Sequence, residues 1–148
     1  MTKNKRGFTL IELLVVIAII GLLSTLAIVA LSSAREKARD AKRLSDLRQI
    51  QTALELYYTD NNNYPTAATA INLGDTNYAC LNGSGWAATG CANPYMGLVP
   101  TDPTTATYYS YTSADGTTYT IDATLEGTTN NMTAAIQASP SGIVDVAN

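Results

Sequence analysis

The chain has no histidine. That excludes Ser-His-Asp and Cys-His catalysis and removes the commonest metal ligand. Cysteine is scarce too. Cys80 and Cys91 are the only two, too few for a structural zinc site without histidine partners. Both lie in a stretch rich in Gly, Asn and Ala, which reads as a loop. In an oxidising compartment they would pair, and closing so short a loop would stabilise the fold by roughly 2–3 kcal/mol. The other reading is two buried free thiols. No nucleophile motif or glycine-rich phosphate loop is present, so nothing supports an enzyme. Proline is missing from positions 8 to 60, which leaves that span open to a continuous helix.

Positive charge is missing from most of the chain. The basic residues are Lys3, Lys5, Arg6, Arg35, Lys37, Arg39, Lys42, Arg43 and Arg48, and none lies beyond that point. From there on only acids occur: Glu55, Asp60, Asp75, Asp102, Asp115, Asp122, Glu126 and Asp145. That acidic, Thr-rich half offers no electrostatic footprint for nucleic acid.

What is present begins with KRGFTLIELLVVIAIIGLL. From Phe8 to Leu31 the residues are apolar except Thr9, Glu12, Ser24 and Thr25, with Gly21 in the middle. The run exceeds the about 20 residues a helix needs to cross a bilayer core. Three readings compete. A cleaved secretory signal fits poorly, because such cores span roughly 7–15 residues, although Ser32-Ser33-Ala34 would serve as a cleavage site. A plain single-pass anchor leaves Glu12 unexplained. The third gives Glu12 a function, the default for an acid inside a membrane segment. The denser basic group follows the segment. By the positive-inside rule alone, that would put the C-terminal side in the cytoplasm. The acidic, cysteine-bearing remainder argues the reverse, for a cytoplasmic N-terminus and an extracytoplasmic domain.

After Leu31 the pattern becomes amphipathic. Ala34, Ala38, Ala41, Leu44, Leu47, Ile50, Leu54 and Tyr57 recur at steps of three or four, which is helical spacing. Asp40 with Arg43 and Lys42 with Asp46 read as ion pairs on a solvated helix face. The helix should stop at Asp60-Asn61-Asn62-Asn63-Tyr64-Pro65. Thr66 to Pro100 reads as loop, and Val99-Pro100-Thr101-Asp102-Pro103 as a rigid turn. Tyr108–Thr112 and Thr118–Leu125 read as strands joined through Ser113–Thr117. Met132–Gln137 and Ile143–Val146 are candidate third and fourth strands. The expected fold is α+β, a long helix, half transmembrane and half amphipathic, packed on a small antiparallel sheet. The divisions are 1–7, 8–31, 32–60 and 61–148.

Lys5-Arg6-Gly7-Phe8-Thr9-Leu10-Ile11-Glu12 resembles the processing site of type IV pilins and of the pseudopilins of type II secretion. Arg35 to Tyr64, with Asp46-Leu47-Arg48-Gln49-Ile50-Gln51-Thr52-Ala53-Leu54, is most similar to the major pseudopilin type. Val99-Pro100-Thr101-Asp102-Pro103, followed by the tyrosine-bearing strands, is similar to the turn and sheet of that group. The resemblance implies cleavage after Gly7 by a membrane prepilin peptidase on the cytoplasmic side, so that 1–7 is a leader. It implies methylation of the new amine on Phe8, then assembly into a helical filament by a pilus or secretion machine. Before assembly the subunit would sit in the inner membrane with its helix in lipid. By resemblance, Glu12 pairs with the freed Phe8 amine of a neighbouring copy. A filament subunit is the leading reading, with a pilus preferred to a secretion pseudopilus. The alternative from another class is a monomeric membrane-anchored binding domain that keeps its leader. Val29 departs from the family, where many relatives carry proline. The helix should therefore stay straighter, or loosen at Gly21 and Ser24-Thr25 instead. No cofactor is expected, except that the resemblance makes Asp102, Asp115, Asp122 and Glu126 candidate calcium ligands, with ordinary turn acids as the other reading.

Overall fold

A computed structural model describes residues 7–146. Most of the expected leader, residues 1–6, lies outside the described residues. The chain divides into two compact units, Met1–Glu36 and Lys37–Asn148. Helix α1, Leu10–Asn61, contributes to both.

In the first unit, the helical residues from Leu10 to Ser33 are all exposed. The apolar stretch has a mean hydropathy of 3.0, and none of it is buried by the chain. Leu10, Leu22, Ile28 and Val29 are each more than half exposed. At about 25 cal/mol per Å² of apolar surface, so long an uncovered stretch is strongly unfavourable in water. It needs lipid or another protein around it, which fits a membrane anchor. The helix continues through Gly21, Ser24, Thr25 and Val29. Thr25 sends its hydroxyl back to the Leu22 carbonyl at 2.8 Å, so its polar group is satisfied within the helix.

In the second unit, Leu44, Leu47, Ile50, Leu54 and Tyr57 pack into one core with strand residues of the sheet. The steps between them keep all five on one side of the helix. The sheet has five antiparallel strands in the order β1-β4-β5-β6-β7. These are β1 Ala67–Leu73, β4 Tyr109–Ser113, β5 Thr120–Thr124, β6 Ala135–Ser139 and β7 Gly142–Asp145. A separate hairpin pairs β2 Cys80–Asn82 with β3 Gly85–Ala87. Alternation decides which side chains face the helix: Tyr109, Tyr111, Ile121, Ala123, Ile136 and Ala138 are buried. In the β4–β5 register Tyr111 lies opposite Ile121. The architecture is α+β.

Two local devices fix the ends. Asn62 sits in the left-handed region at φ 56° just after the helix, and its N–H donates to the Tyr58 carbonyl at 2.8 Å. Gly116 lies in the β4–β5 turn at φ 77°, where an added Cβ would sit 3.0 Å from the Tyr64 carbonyl oxygen. Its own carbonyl accepts from Tyr64 N–H at 2.8 Å, so the turn is stitched to the segment leaving the helix.

Two expectations are corrected. The span read as loop, Thr66 to Pro100, contains β1, β2 and β3. Strand β1 is rich in Ala, its register shifts between Ala67 and Ile71, and it sits at the sheet edge. Period-two alternation never develops there, and pairing with β4 supplies what propensity does not. The helix face is also different. Ala34, Ala38 and Ala41 are exposed, while Asp40, Arg43 and Asp46 are buried. The pair read as solvated lies inside.

Cys80 and Cys91 form a disulfide. It holds the β2–β3 hairpin to the segment after it. Reducing it is expected to destabilise the second unit by about 3 kcal/mol, the loop-closure entropy for this short separation. Denaturant unfolding with and without reductant measures this; coincident midpoints would refute it.

Candidate functional site

The first candidate site is the start of α1. Thr9 is the N-cap, and its hydroxyl accepts from the Glu12 N–H at 3.3 Å. Glu12 returns the interaction. Its Oε2 accepts from Thr9 N–H at 2.8 Å and from the Thr9 hydroxyl at 2.7 Å. This is a capping box, which satisfies the orphan amides of a helix start reciprocally. Its sequence signal is Thr-x-x-Glu before an apolar run, a local role for Glu12 distinct from the assembly role that the resemblance implies. Phe8 is 88 % exposed one residue outside the box, and Phe8, Ile11, Glu12, Val15 and Val16 line one shallow surface. The carboxylate is thus placed among apolar neighbours, beside the chemical position where cleavage after Gly7 would create an amine. Its local bonds occupy only one oxygen.

The second is a buried ionic hub in the other unit. Arg43 is 2 % exposed. Its Nε and Nη2 grip Asp102 at 2.7 and 2.9 Å in a two-bond fork. Nη1 donates to Asp40 at 2.7 Å and Glu126 at 2.8 Å, and Nη2 also reaches the Thr104 hydroxyl at 2.7 Å. Arg39 pairs with Glu126 from the outer side. Asp40, fully buried, accepts in addition from the Glu126 and Gly127 backbone N–H groups at 2.9 and 3.0 Å. One guanidinium therefore ties the helix to two loops, those that carry Asp102 and Glu126. Nearby, buried Asp46 accepts from the Tyr109 hydroxyl at 2.9 Å.

The electrostatics follow from these contacts. Bonding to Arg39, then to Arg43, lowers the Glu126 carboxyl from its ordinary 4.5 to about 2. Burial alone would raise Asp102, but Arg43 and Thr104 outweigh it and the net direction is down. Asp46 goes the other way. Burial raises it, and Tyr109 and Lys42 offset this only in part. Acids with depressed values stabilise the fold above their ordinary range and cease to do so as pH falls through the folded value. Asp46 has the opposite sign, favouring the fold in acid. Glu126 and Asp102 are expected to dominate, so stability should fall between about pH 4.5 and about pH 2. An acid titration followed by circular dichroism checks this. Glu126→Gln should flatten the slope in that window; an unchanged slope would contradict it.

The four residues read as calcium candidates do not converge on one place. Asp102 and Glu126 meet on Arg43. Asp115 accepts from Thr117 within its own turn, and Asp122 from Gln137 across the β5–β6 pair. Among the described residues no group of three or more His, Cys, Asp or Glu side chains is arranged to hold a metal ion. The hub itself had one sequence signal, the i,i+3 spacing of Asp40 and Arg43. Its partners Asp102 and Glu126 lie far along the chain, and nothing in local sequence links them.

Residues 2–31 match the prokaryotic N-terminal methylation motif, and residues 30–137 match the family of type II secretion system protein G. The type II secretion system core protein G of Escherichia coli is 46 % identical over 65 residues, 44 % of this chain and 45 % of that protein. Its counterpart in Aeromonas hydrophila is 40 % identical over 70 residues, 47 % of this chain and 49 % of that protein. The type IV wide pilus major component PilA4 of Thermus thermophilus is 44 % identical over 73 residues, 49 % of this chain and 56 % of that protein. The chain spans about half the length of the curated relatives it matches. No solved structure matches.

Proposed function

The chain belongs to the type II secretion system protein G family, and from that premise we propose that it is the structural subunit of a type IV pilus-like filament. The observation that carries this is the first unit: a helix apolar all round, with no part of that stretch buried by its own chain, and a single acid at its front turn. In a monomer lipid covers that surface. In a filament, copies of the same helix do. Prepilin peptidase cleaves after Gly7, the Phe8 amine is methylated, and Glu12 receives that amine from an adjacent copy. The N-terminus lies on the cytoplasmic side of the inner membrane and the Lys37–Asn148 unit outside it. Pilus or secretion assembly machinery then lifts the subunit into the polymer. The chain carries no chemistry of its own in this role.

A second reading, the major pseudopilin of a type II secretion system, is favoured by the protein G match over residues 30–137. It shares every molecular step and differs in where the filament ends. Mass analysis of the mature chain tests both. A chain beginning with methylated Phe8 is expected; an intact leader would overturn both and favour a membrane-anchored monomer. Surface shearing followed by electron microscopy then separates a long external fibre from a short periplasmic one.

A further inference from the structure

A cleft of about 380 Å³ opens in the second unit, beside the chain leaving α1 and the β2–β3 hairpin. Asn63, Tyr64, Thr69, Tyr78, Ser84 and Trp86 belong to its lining, and no lining residue carries a formal charge. Its aromatic walls are held from behind. Trp86 stands edge-on to Tyr111 with ring centres 5.2 Å apart, and Tyr64 edge-on to Tyr119 at 4.7 Å. Tyr111 and Tyr119 are buried and stack on each other at 6.0 Å. The two walls are thus joined through the core. The Cys80–Cys91 disulfide constrains the hairpin that carries Trp86. A site so braced needs little ordering on binding.

The lining selects a ligand by chemistry. Its aromatic rings suit an apolar ligand face. Short hydroxyl and amide side chains, Asn63, Thr69 and Ser84, suit a rim of hydroxyl groups. An anion finds no cation here, since every basic residue lies at or before Arg48 and none lines the cleft. A pyranose ring offers a C–H face and a hydroxyl edge without charge. The volume falls at the small end of ligand sites, about 300–1,000 Å³, which admits one or two such rings. The geometry points to a binding site for a neutral saccharide, stacked against Trp86 and Tyr78 and hydrogen-bonded by Thr69 and Ser84. This site is separate from the residues assigned to processing and assembly, and it requires no polymer.

Trp86 is the chain's single tryptophan, so its emission reports on the cleft directly. The full chain, held in a detergent without a sugar headgroup, is titrated with maltotetraose, cellotetraose and chitotetraose. At least one should change Trp86 emission saturably. Thr69→Val combined with Ser84→Ala should weaken that binding about tenfold, equivalent to the loss of about 1.4 kcal/mol, with unchanged circular dichroism. Both replaced residues are exposed, so folding is not at stake. Absence of a saturable change with all three sugars would overturn the proposal. So would a saturable response to tetralysine alone, or sugar binding that the double variant leaves intact.

Discussion

Replacing Arg43 with methionine is expected to destabilise the Lys37–Asn148 unit by about 3–5 kcal/mol, the cost of breaking a buried ion pair from one side. The guanidinium bonds Asp102, Asp40 and Glu126 at once. Methionine fills the volume but leaves carboxylates facing one another. Asp40 keeps two backbone donors, at 2.9 and 3.0 Å, and Asp102 keeps the Thr104 N–H at 2.7 Å. That residual solvation argues for the lower part of the range. Against a whole-domain stability of about 5–15 kcal/mol, the loss is large. Arg43→Lys should recover only part of it, because one ammonium cannot reproduce the fork to Asp102 while also reaching Asp40 and Glu126. A pH signature separates this from a packing defect. Without the cation the crowded carboxylates take up protons more readily in the folded state. The methionine variant should therefore gain stability as pH falls, where the parent loses it. Urea midpoints for both proteins near pH 7 and pH 4 test this. A variant as stable as the parent, or equally impaired at both, would overturn it.

The hub and strands β4 and β5 differ in the range of the signal that specifies them. Tyr109, Tyr111, Ile121 and Ala123 announce themselves by alternation, which is a local property. Leu44 to Tyr57 do so by helical period. Asp40 and Arg43 were visible as a helical pair, but their burial depends on Asp102 and Glu126 closing over them from distant loops. Charged residues are rarely buried unless paired, so reading them as solvated was the reasonable inference without those partners. The exposed alanines make the same point. Ala34, Ala38 and Ala41 continue the helical stripe on paper, yet they are exposed. Strand β1 carried too little alternation to be seen, and its pairing with β4 came from tertiary contact. At the front of α1 the case is different. Thr9 and Glu12 state their capping relation within four residues, beside the longer-range role that the family resemblance implies for Glu12.

Glu12→Ala is expected to abolish filament formation, or nearly so, while leaving membrane insertion intact. Two roles meet in this side chain and their magnitudes differ. As the N3 member of a capping box it satisfies Thr9 N–H and hydroxyl, and losing such a cap costs about 0.5–2 kcal/mol. As the partner of a neighbour's Phe8 amine it would contribute roughly 4 kcal/mol at about 4 Å and an effective dielectric near 20, before desolvation. Alanine removes both, so it cannot tell them apart. Glutamine can. It is accepted at the same position of a capping box, so Glu12→Gln keeps the local bonds and loses only the charge. If the acid acts across copies, sheared filament yield should collapse in both variants. Should glutamine assemble as the parent does while alanine fails, the helix cap is what assembly needs and the intersubunit ion pair is wrong. Immunoblots of membrane and sheared fractions give both numbers from one culture, and the membrane fraction shows whether insertion held. The first unit decides why the charge should matter so much. Apart from Thr9, which bonds one carboxylate oxygen, the residues lining the surface around Glu12 are apolar, and in a bundle of such helices water would no longer be there to solvate it. A charge in that position is tolerable only if each added copy brings its counterion.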